Sequence, residues 1–184
     1  MKKINYTLLI AIIIITLLGL LMIYSSSYVW AEYKFNDPYK FLKTQGFFLI
    51  IGYIIMSIII KIPYTQYKNK ANIIFSVCFL LLILVLIPGI GTVRNGSRSW
   101  FGIGGLGIQP SEFMKLSLIV FTSKYLAKND KDIKDIKKGI LPILGILMLV
   151  FGLIMLEPDF GTGVVIVMTI VALLFVSGVK LSFF

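Results

Sequence analysis

Long stretches without a charged residue alternate with short polar segments along the chain. The stretches cover residues 4–31, 44–60, 71–93, 139–156 and 160–179. Roughly 18 consecutive apolar residues are enough for a membrane-spanning helix, and the 44–60 stretch nearly reaches that length. The pattern predicts an all-α, polytopic membrane protein with helices near residues 7–24, 44–60, 71–87, 111–127, 139–156 and 162–179.

The composition agrees with this fold class. Of the 184 residues 58% are hydrophobic and 14% charged, whereas soluble domains average about 25% charged residues. A soluble enzyme and a disordered chain are therefore excluded. The sequence has no histidine and a single cysteine, Cys78, which excludes imidazole bases, the usual zinc sites and an internal disulfide. Any proton transfer falls to a carboxylate, lysine, tyrosine or water.

The net charge of +10 lies mostly in short loops, which favours membrane lipid headgroups over nucleic acid as the partner of these cations. Assigning alternate loops to the cytoplasm places twelve lysines inside. The positive-inside rule then predicts a cytoplasmic N-terminus. The cations left outside are Lys34, Lys40, Lys43, Arg94 and Arg98.

The chain starts like a secretory signal, with Lys2 and Lys3 before an apolar run. That run, residues 8–24, is longer than the roughly 7–15 residues of a signal h-region. We therefore predict an uncleaved first span, with cleavage near Ser25–Ser27 as the alternative.

Two charges lie inside the predicted fourth helix. Glu112 and Lys115 are three residues apart, which places them on one helical face in the outer third of the span. Charges at that depth normally face a bundle interior or a wet cavity and mark a functional site. The alternative is a surface ion pair at a helix start.

The predicted outer loop, residues 88–110, is rich in glycine. Its Gly102-x-Gly104-x-x-Gly107 spacing matches a dinucleotide fingerprint, but that motif needs a βαβ unit in a soluble domain, so we reject a nucleotide site. The glycines instead favour tight re-entrant backbone beside the membrane. Arg94 and Arg98 are either phosphate ligands or two solvated loop arginines.

A short turn between predicted helices five and six holds Glu157 and Asp159 at the outer boundary of the membrane. Aspartate before a helix commonly caps it, which is the default role of Asp159. The same carboxylate can also line the cavity predicted for Glu112 and Lys115, and the two roles are compatible.

Several motifs resemble the SEDS family (shape, elongation, division and sporulation). The loop Val93–Gly104 leads into the helix start Ile108–Lys115, Tyr24–Ser27 closes the first predicted helix, and Pro158–Thr162 precedes the sixth. Tyr24–Ser27 and the residues after it resemble the FtsW/SpoVE branch more than RodA. The sequence departs from the family at Glu157, where glutamine is usual.

The resemblance implies a single SEDS membrane domain over residues 1–184, supplying about six of the ten helices expected for the family. The family's proposed catalytic aspartate lies in an outer loop after helix seven, so no catalytic residue is assigned in this chain.

The implied activity is that of a peptidoglycan glycosyltransferase in the bacterial cytoplasmic membrane, acting on the extracytoplasmic face during division or sporulation. The implied substrates are lipid II and glycan linked to undecaprenyl diphosphate. The residues expected to bind substrate are Arg94, Arg98, Trp100, Glu112, Lys115 and Asp159.

In this reading Arg94, Arg98 and Lys115 would bind diphosphate or sugar, and Glu112 would orient Lys115. Trp100 would stack on a sugar or, slightly favoured, anchor the loop at the membrane interface.

Asp159 would contact substrate or bind a divalent cation, and no other cofactor is expected. Two other functions stay open. Intramembrane charges fit a lipid II flippase equally well. A third reading is a non-catalytic scaffold for a class B penicillin-binding transpeptidase, together with divisome or sporulation proteins.

Overall fold

The computed structural model describes residues 5–94, 96–102, 107–129 and 135–179. These residues form six α-helices, a two-stranded hairpin and one π-helical turn, Ile136–Ile140, that leads directly into the fifth helix. The elements are α1 (Tyr6–Phe35), α2 (Lys40–Ile59), α3 (Tyr64–Leu86), β1 (Thr92–Arg94), β2 (Ser97–Trp100), α4 (Pro110–Lys128), α5 (Leu141–Leu156) and α6 (Phe160–Val176).

The predicted all-α, polytopic membrane fold is confirmed. Among the described residues, four helical segments are long and apolar enough to cross a bilayer, namely Tyr6–Phe35, Lys40–Ile59, Tyr64–Leu86 and Ile136–Leu156. α6 is apolar but shorter, with 17 residues, and α4 carries the charges of Glu112 and Lys115. The chain is therefore a multi-pass membrane protein, while the side on which its N-terminus lies stays a prediction.

The first helix extends well beyond its apolar run. It reaches Phe35 instead of ending near residue 24, because the hydroxyls of Ser26 and Ser27 donate to the carbonyl of Ile23 (3.2 and 2.6 Å) and so remain compatible with the helix. α1 ends where Asn36 adopts the left-handed conformation, with φ of 54°. Hydrophobicity alone located the helix but not its end.

Backbone contacts divide the chain into two compact units, residues 1–63 and 64–184, so the assignment of one domain to residues 1–184 stays a prediction. In the first unit α1 and α2 pair through a hydrogen bond between the hydroxyls of Thr16 and Tyr53 and through stacking of Tyr24 on Tyr39, whose ring centres lie 5.4 Å apart. Most other apolar side chains of these two helices are exposed, as expected of surfaces that contact lipid.

The second unit has a continuous apolar core to which α3, α4, α5 and α6 all contribute. Helix association inside a bilayer depends on close van der Waals packing, because lipid tails are as apolar as the side chains themselves. This packing brings the ends of the four helices together. The most deeply buried side chains of the core include Leu82, Met114, Leu118, Val150, Ile154, Ile166 and Ile170.

A β-hairpin between α3 and α4 was not predicted. Its strands are antiparallel, with a bulge between Thr92 and Val93, and Gly96 turns the chain with φ of 84°. Residues 103–106, which include Gly104 of the predicted re-entrant segment, lie outside the described residues. The backbone groups of Phe101 and Ile108 pair across that segment, with N–O distances of 2.7 and 2.8 Å.

α6 packs closely against α5 at Gly163. A Cβ at this position would lie 2.6 Å from Met155 Cε and 3.0 Å from Phe151 Cε2, whereas a Cβ at Gly161 would meet only ordinary contacts. Gly163→Leu is therefore expected to lower the stability of the fold by about 1–3 kcal/mol through overpacking. Thermal unfolding in detergent tests this, with exposed Gly161→Leu as the matched control. Equal melting temperatures for the two variants would contradict the packing described here.

Candidate functional site

The six residues predicted to bind substrate all lie in the second unit, at the end where α3 and α5 finish and α4 and α6 begin. Side chains of the hairpin and of the segment before α4 both contact the α5–α6 turn there. Residues 50 and 60 positions apart in sequence are thus brought together at one end of the helix bundle.

Ser97, with Ser99 beside it, links the hairpin to the α5–α6 turn. Alternate residues of a strand share one face, so both serines point the same way from β2. Their hydroxyl oxygens lie 2.9 Å apart, and Ser97 donates a hydrogen bond to the backbone carbonyl of Glu157. Ser99 is buried. The position of the hairpin is therefore tied to the start of the turn.

The two arginines of the hairpin occupy different environments. The guanidinium carbon of Arg94 lies 5.1 Å from the ring centre of Trp100, within cation–π range. Gly107 lies against the same guanidinium, and a Cβ there would be 2.8 Å from Arg94 Nη1. Arg98 is half-buried, with Nη1 3.5 Å from the carbonyl of Leu86 at the end of α3, where the helix dipole favours a cation. Neither arginine is fully solvated.

Glu112 and Lys115 form an ion pair, with 2.7 Å between Lys115 Nζ and Glu112 Oε1. The side chain of Glu112 is 53% exposed and that of Lys115 is 24% exposed. Beside Lys115 lies a narrow crevice between α4 and α6, lined otherwise by apolar groups and Thr169. Within the described residues the pair thus borders an apolar crevice and not an enclosed polar cavity, and the predicted cavity stays a hypothesis.

Asp159 caps α6, as its position before that helix predicts. Its Oδ1 accepts from the backbone N–H of Thr162 (3.1 Å), which is a typical N-cap interaction. Its Oδ2 accepts from Nε2 of Gln109 (2.6 Å), the residue immediately before α4. Asp159 therefore joins the start of α4 to the start of α6.

Glu157 is the most unusual residue at this end of the bundle. It is completely buried, and neither carboxylate oxygen has a hydrogen-bond partner among the described residues. Burial, with a smaller contribution from the charge of Asp159, raises the pKa of Glu157 to about 8. At neutral pH the side chain is therefore mainly protonated and uncharged.

Sequence reasoning missed three residues that hold this region together. Gln109, Ser97 and Ser99 all lie within the family motifs, close to charged residues whose chemistry is more conspicuous in the sequence. A polar residue next to a helix start or in a hairpin is common, so only the fold reveals that Ser97 and Gln109 bond to the α5–α6 turn and that Ser99 contacts Ser97.

The described residues contain no group of three or more His, Cys, Asp or Glu side chains able to hold a metal ion. Both carboxylate oxygens of Asp159 already accept hydrogen bonds from the protein. What the region does offer is cationic groups beside apolar helix surfaces, which suits an anionic, lipid-linked ligand.

A family model described as "Cell cycle protein", covering FtsW, RodA and SpoVE, matches residues 6–184. The chain belongs to the FtsW/RodA/SpoVE family. The resemblance read from the motifs is thereby confirmed.

Curated members of the FtsW/RodA/SpoVE family match the whole chain. Stage V sporulation protein E of Bacillus subtilis is 47% identical over an alignment of 185 positions, which covers 100% of this chain and 50% of the relative. The probable peptidoglycan glycosyltransferase FtsW of Saccharophagus degradans is 34% identical, over 100% of this chain and 47% of its own. The chain thus spans about half the length of the curated relatives it matches.

Solved structures of this family share the fold. A peptidoglycan synthase complex, described as coordinating polymerization and crosslinking, contains a chain with a TM-score of 0.69 and 28% identity, covering 89% of this chain and 47% of that one. Thermus thermophilus RodA has a TM-score of 0.62 at 24% identity, over 90% of this chain and 53% of its own, and this likeness concerns the fold alone.

Replacing the buried carboxyl of Glu157 with an amide should change how stability depends on pH. Because the native pKa is raised to about 8, the folded protein keeps a proton that the unfolded chain releases, and stability falls as pH rises towards 8. Glutamine cannot ionise. Glu157→Gln is therefore expected to melt at a higher temperature than the unsubstituted protein at about pH 9, with a smaller difference at about pH 5.

Thermal unfolding across this pH range provides the measurement. The exposed Glu32→Gln variant removes the same formal charge elsewhere and serves as the control. A melting-temperature difference that does not grow with pH would show that Glu157 is ionised in the folded protein.

Proposed function

We propose that this chain supplies the N-terminal portion of a SEDS peptidoglycan glycosyltransferase, which polymerises lipid II into glycan strands during division or sporulation. Family membership and relatives described as probable peptidoglycan glycosyltransferases support the proposal. The observation that carries it is that the hairpin with its arginines and the start of α4, which bears the Lys115–Glu112 pair, are both bonded to the α5–α6 turn at one end of the second unit.

The chemistry of glycan transfer fits these cations. When a sugar hydroxyl displaces undecaprenyl diphosphate, negative charge develops on the departing diphosphate and must be stabilised. Lys115 and the guanidinium groups of Arg94 and Arg98 would supply that stabilisation. Arginine matches phosphate oxygens with paired donors, and the ammonium of Lys115 acts as a point charge.

Glu112 would keep the ammonium of Lys115 in place through their 2.7 Å contact. The ring of Trp100 would position the guanidinium of Arg94, so Trp100 would act on the substrate indirectly. Trp100 would contact the substrate itself only where a sugar took the place of the guanidinium on its ring. Asp159, which joins the starts of α4 and α6, would position these groups. The base that removes the hydroxyl proton is not assigned to any residue of this chain.

The site would face the extracytoplasmic side of the cytoplasmic membrane, where polymerised glycan is needed. The proposed partner is a class B penicillin-binding transpeptidase, by analogy with the solved complex that couples polymerization to crosslinking. A lipid II flippase and a non-catalytic scaffold remain the competing functions.

Reconstitution with lipid II separates these functions. The protein is expressed from its complete gene, placed in proteoliposomes and supplied with external lipid II. Glycan polymer is expected. Movement of the lipid II headgroup across the bilayer without polymer would indicate a flippase, and neither activity would indicate a scaffold. Polymer made by residues 1–184 alone would contradict the proposal that this chain is only one portion of the glycosyltransferase.

Lys115→Ala is expected to lower the rate of lipid II polymerisation by about 10²-fold, the typical loss when one group that stabilises developing charge is removed. Lys124→Ala is the matched control, because Lys124 lies near the opposite end of α4, where it bonds to Asn72 at 2.9 Å. Glycan chain assays give the rate, and recovery from the membrane fraction verifies insertion. Normal polymerisation by Lys115→Ala would show that Glu112 and Lys115 form only a surface ion pair at the start of the helix.

A further inference from the structure

Two lysine side chains in the first unit share one aromatic ring. Lys40 Nζ lies 3.3 Å from the ring centre of Phe35, and Lys34 Nζ lies 5.7 Å from the same centre and 4.6 Å from that of Trp30. The attraction between a cation and the face of an aromatic ring accounts for both contacts. It holds two like charges near each other at the turn between α1 and α2.

The backbone of the α1–α2 turn and the packing of its aromatic rings fix the positions of Lys34 and Lys40. α1 ends at Phe35, Asn36 reverses the chain in the left-handed conformation, and α2 begins at Lys40. The ring of Phe41 on α2 packs against the rings of Trp30 (5.7 Å between centres) and Phe35 (5.9 Å) on α1. The two rings that the lysines contact are therefore held by both helices.

Neither nearby carboxylate forms an ion pair with these two lysines. Asp37 forms its ion pair with Lys43 at 2.9 Å, and that hydrogen bond is the main cause of its lowered pKa, to which the charge of Lys40 contributes least. Glu32 precedes Lys34 by two residues, and side chains two apart do not face each other on a helix. Among the described residues, neither Lys34 nor Lys40 has a carboxylate within 4.0 Å.

The surroundings match the headgroup level of a bilayer. Trp30 is 50% exposed and Tyr33 is 90% exposed, and aromatic side chains of this kind concentrate at the membrane–water interface. Anionic phospholipids place a phosphate at the same depth, and lysines near such a surface attract it.

We propose that Lys34 and Lys40 bind the headgroup phosphate of an anionic phospholipid, with Trp30 and Tyr33 embedded beside it. The phosphate oxygens would accept hydrogen bonds from both ammonium groups and relieve the repulsion between them. The site depends only on residues of the first unit and is independent of the function proposed above.

The two tryptophans of the chain allow a direct test. In a Trp100→Phe background, Trp30 is the single tryptophan of the 184 residues, so its fluorescence can be measured alone. Its quenching is measured in nanodiscs of phosphatidylcholine doped with either brominated phosphatidylglycerol or brominated phosphatidylcholine. Binding predicts about fivefold enrichment of the anionic lipid beside Trp30, weakening as salt is raised.

Replacing both lysines with glutamine, Lys34→Gln with Lys40→Gln, should abolish this preference while leaving quenching by brominated phosphatidylcholine intact. Lys68→Gln with Lys70→Gln removes the same charge from exposed positions of α3 and should keep the preference. Equal quenching by the two brominated lipids would overturn the proposal and leave Trp30 as an interface anchor only. A preference for brominated phosphatidylglycerol that persists in the variant lacking both Lys34 and Lys40 would overturn the proposal as well.

Discussion

Hydrocarbon offers no hydrogen-bond partner to a peptide group, and this constraint determines where the chain can place its chemistry. Inside the bilayer each backbone N–H and C=O must be satisfied within a helix, so irregular backbone is confined to helix ends and to places sheltered by protein. The hairpin, the segment before α4 and the α5–α6 turn are the irregular parts of the second unit that bear candidate functional residues. They meet at one end because the four helices beneath them pack around a common core.

Hydrogen bonds between these irregular segments hold the separate helix ends together as one candidate site. Ser97 binds the carbonyl of Glu157, and Gln109 binds the carboxylate of Asp159. Each bond spans two elements that are far apart in sequence, and together they tie both the hairpin and α4 to the α5–α6 turn. The cations of the hairpin and the ion pair of α4 are therefore held in a fixed relation, which any role in handling one substrate requires.

The hydrophobic pattern predicted five of the six helices because a bilayer span leaves a long, uninterrupted signal, whereas α4 was predicted in spite of the charges of Glu112 and Lys115. It misplaced the end of α1, since Ser26 and Ser27 satisfy their hydroxyls within the helix and the polar interface tolerates further turns. The Glu112–Lys115 pair was predictable from a spacing of three residues. The contacts of Gln109 and Ser97 were not, because neither partner in such a bond leaves a periodic or compositional trace.

Glycine at position 107 sets a limit on how this loop can vary. Its missing side chain leaves the space that the guanidinium of Arg94 fills beside the ring of Trp100. A larger residue at 107 would push a flexible arginine aside and leave the backbone intact. A side chain at position 107 and the present contact between Arg94 and Trp100 therefore exclude each other, although the backbone of the loop accepts either.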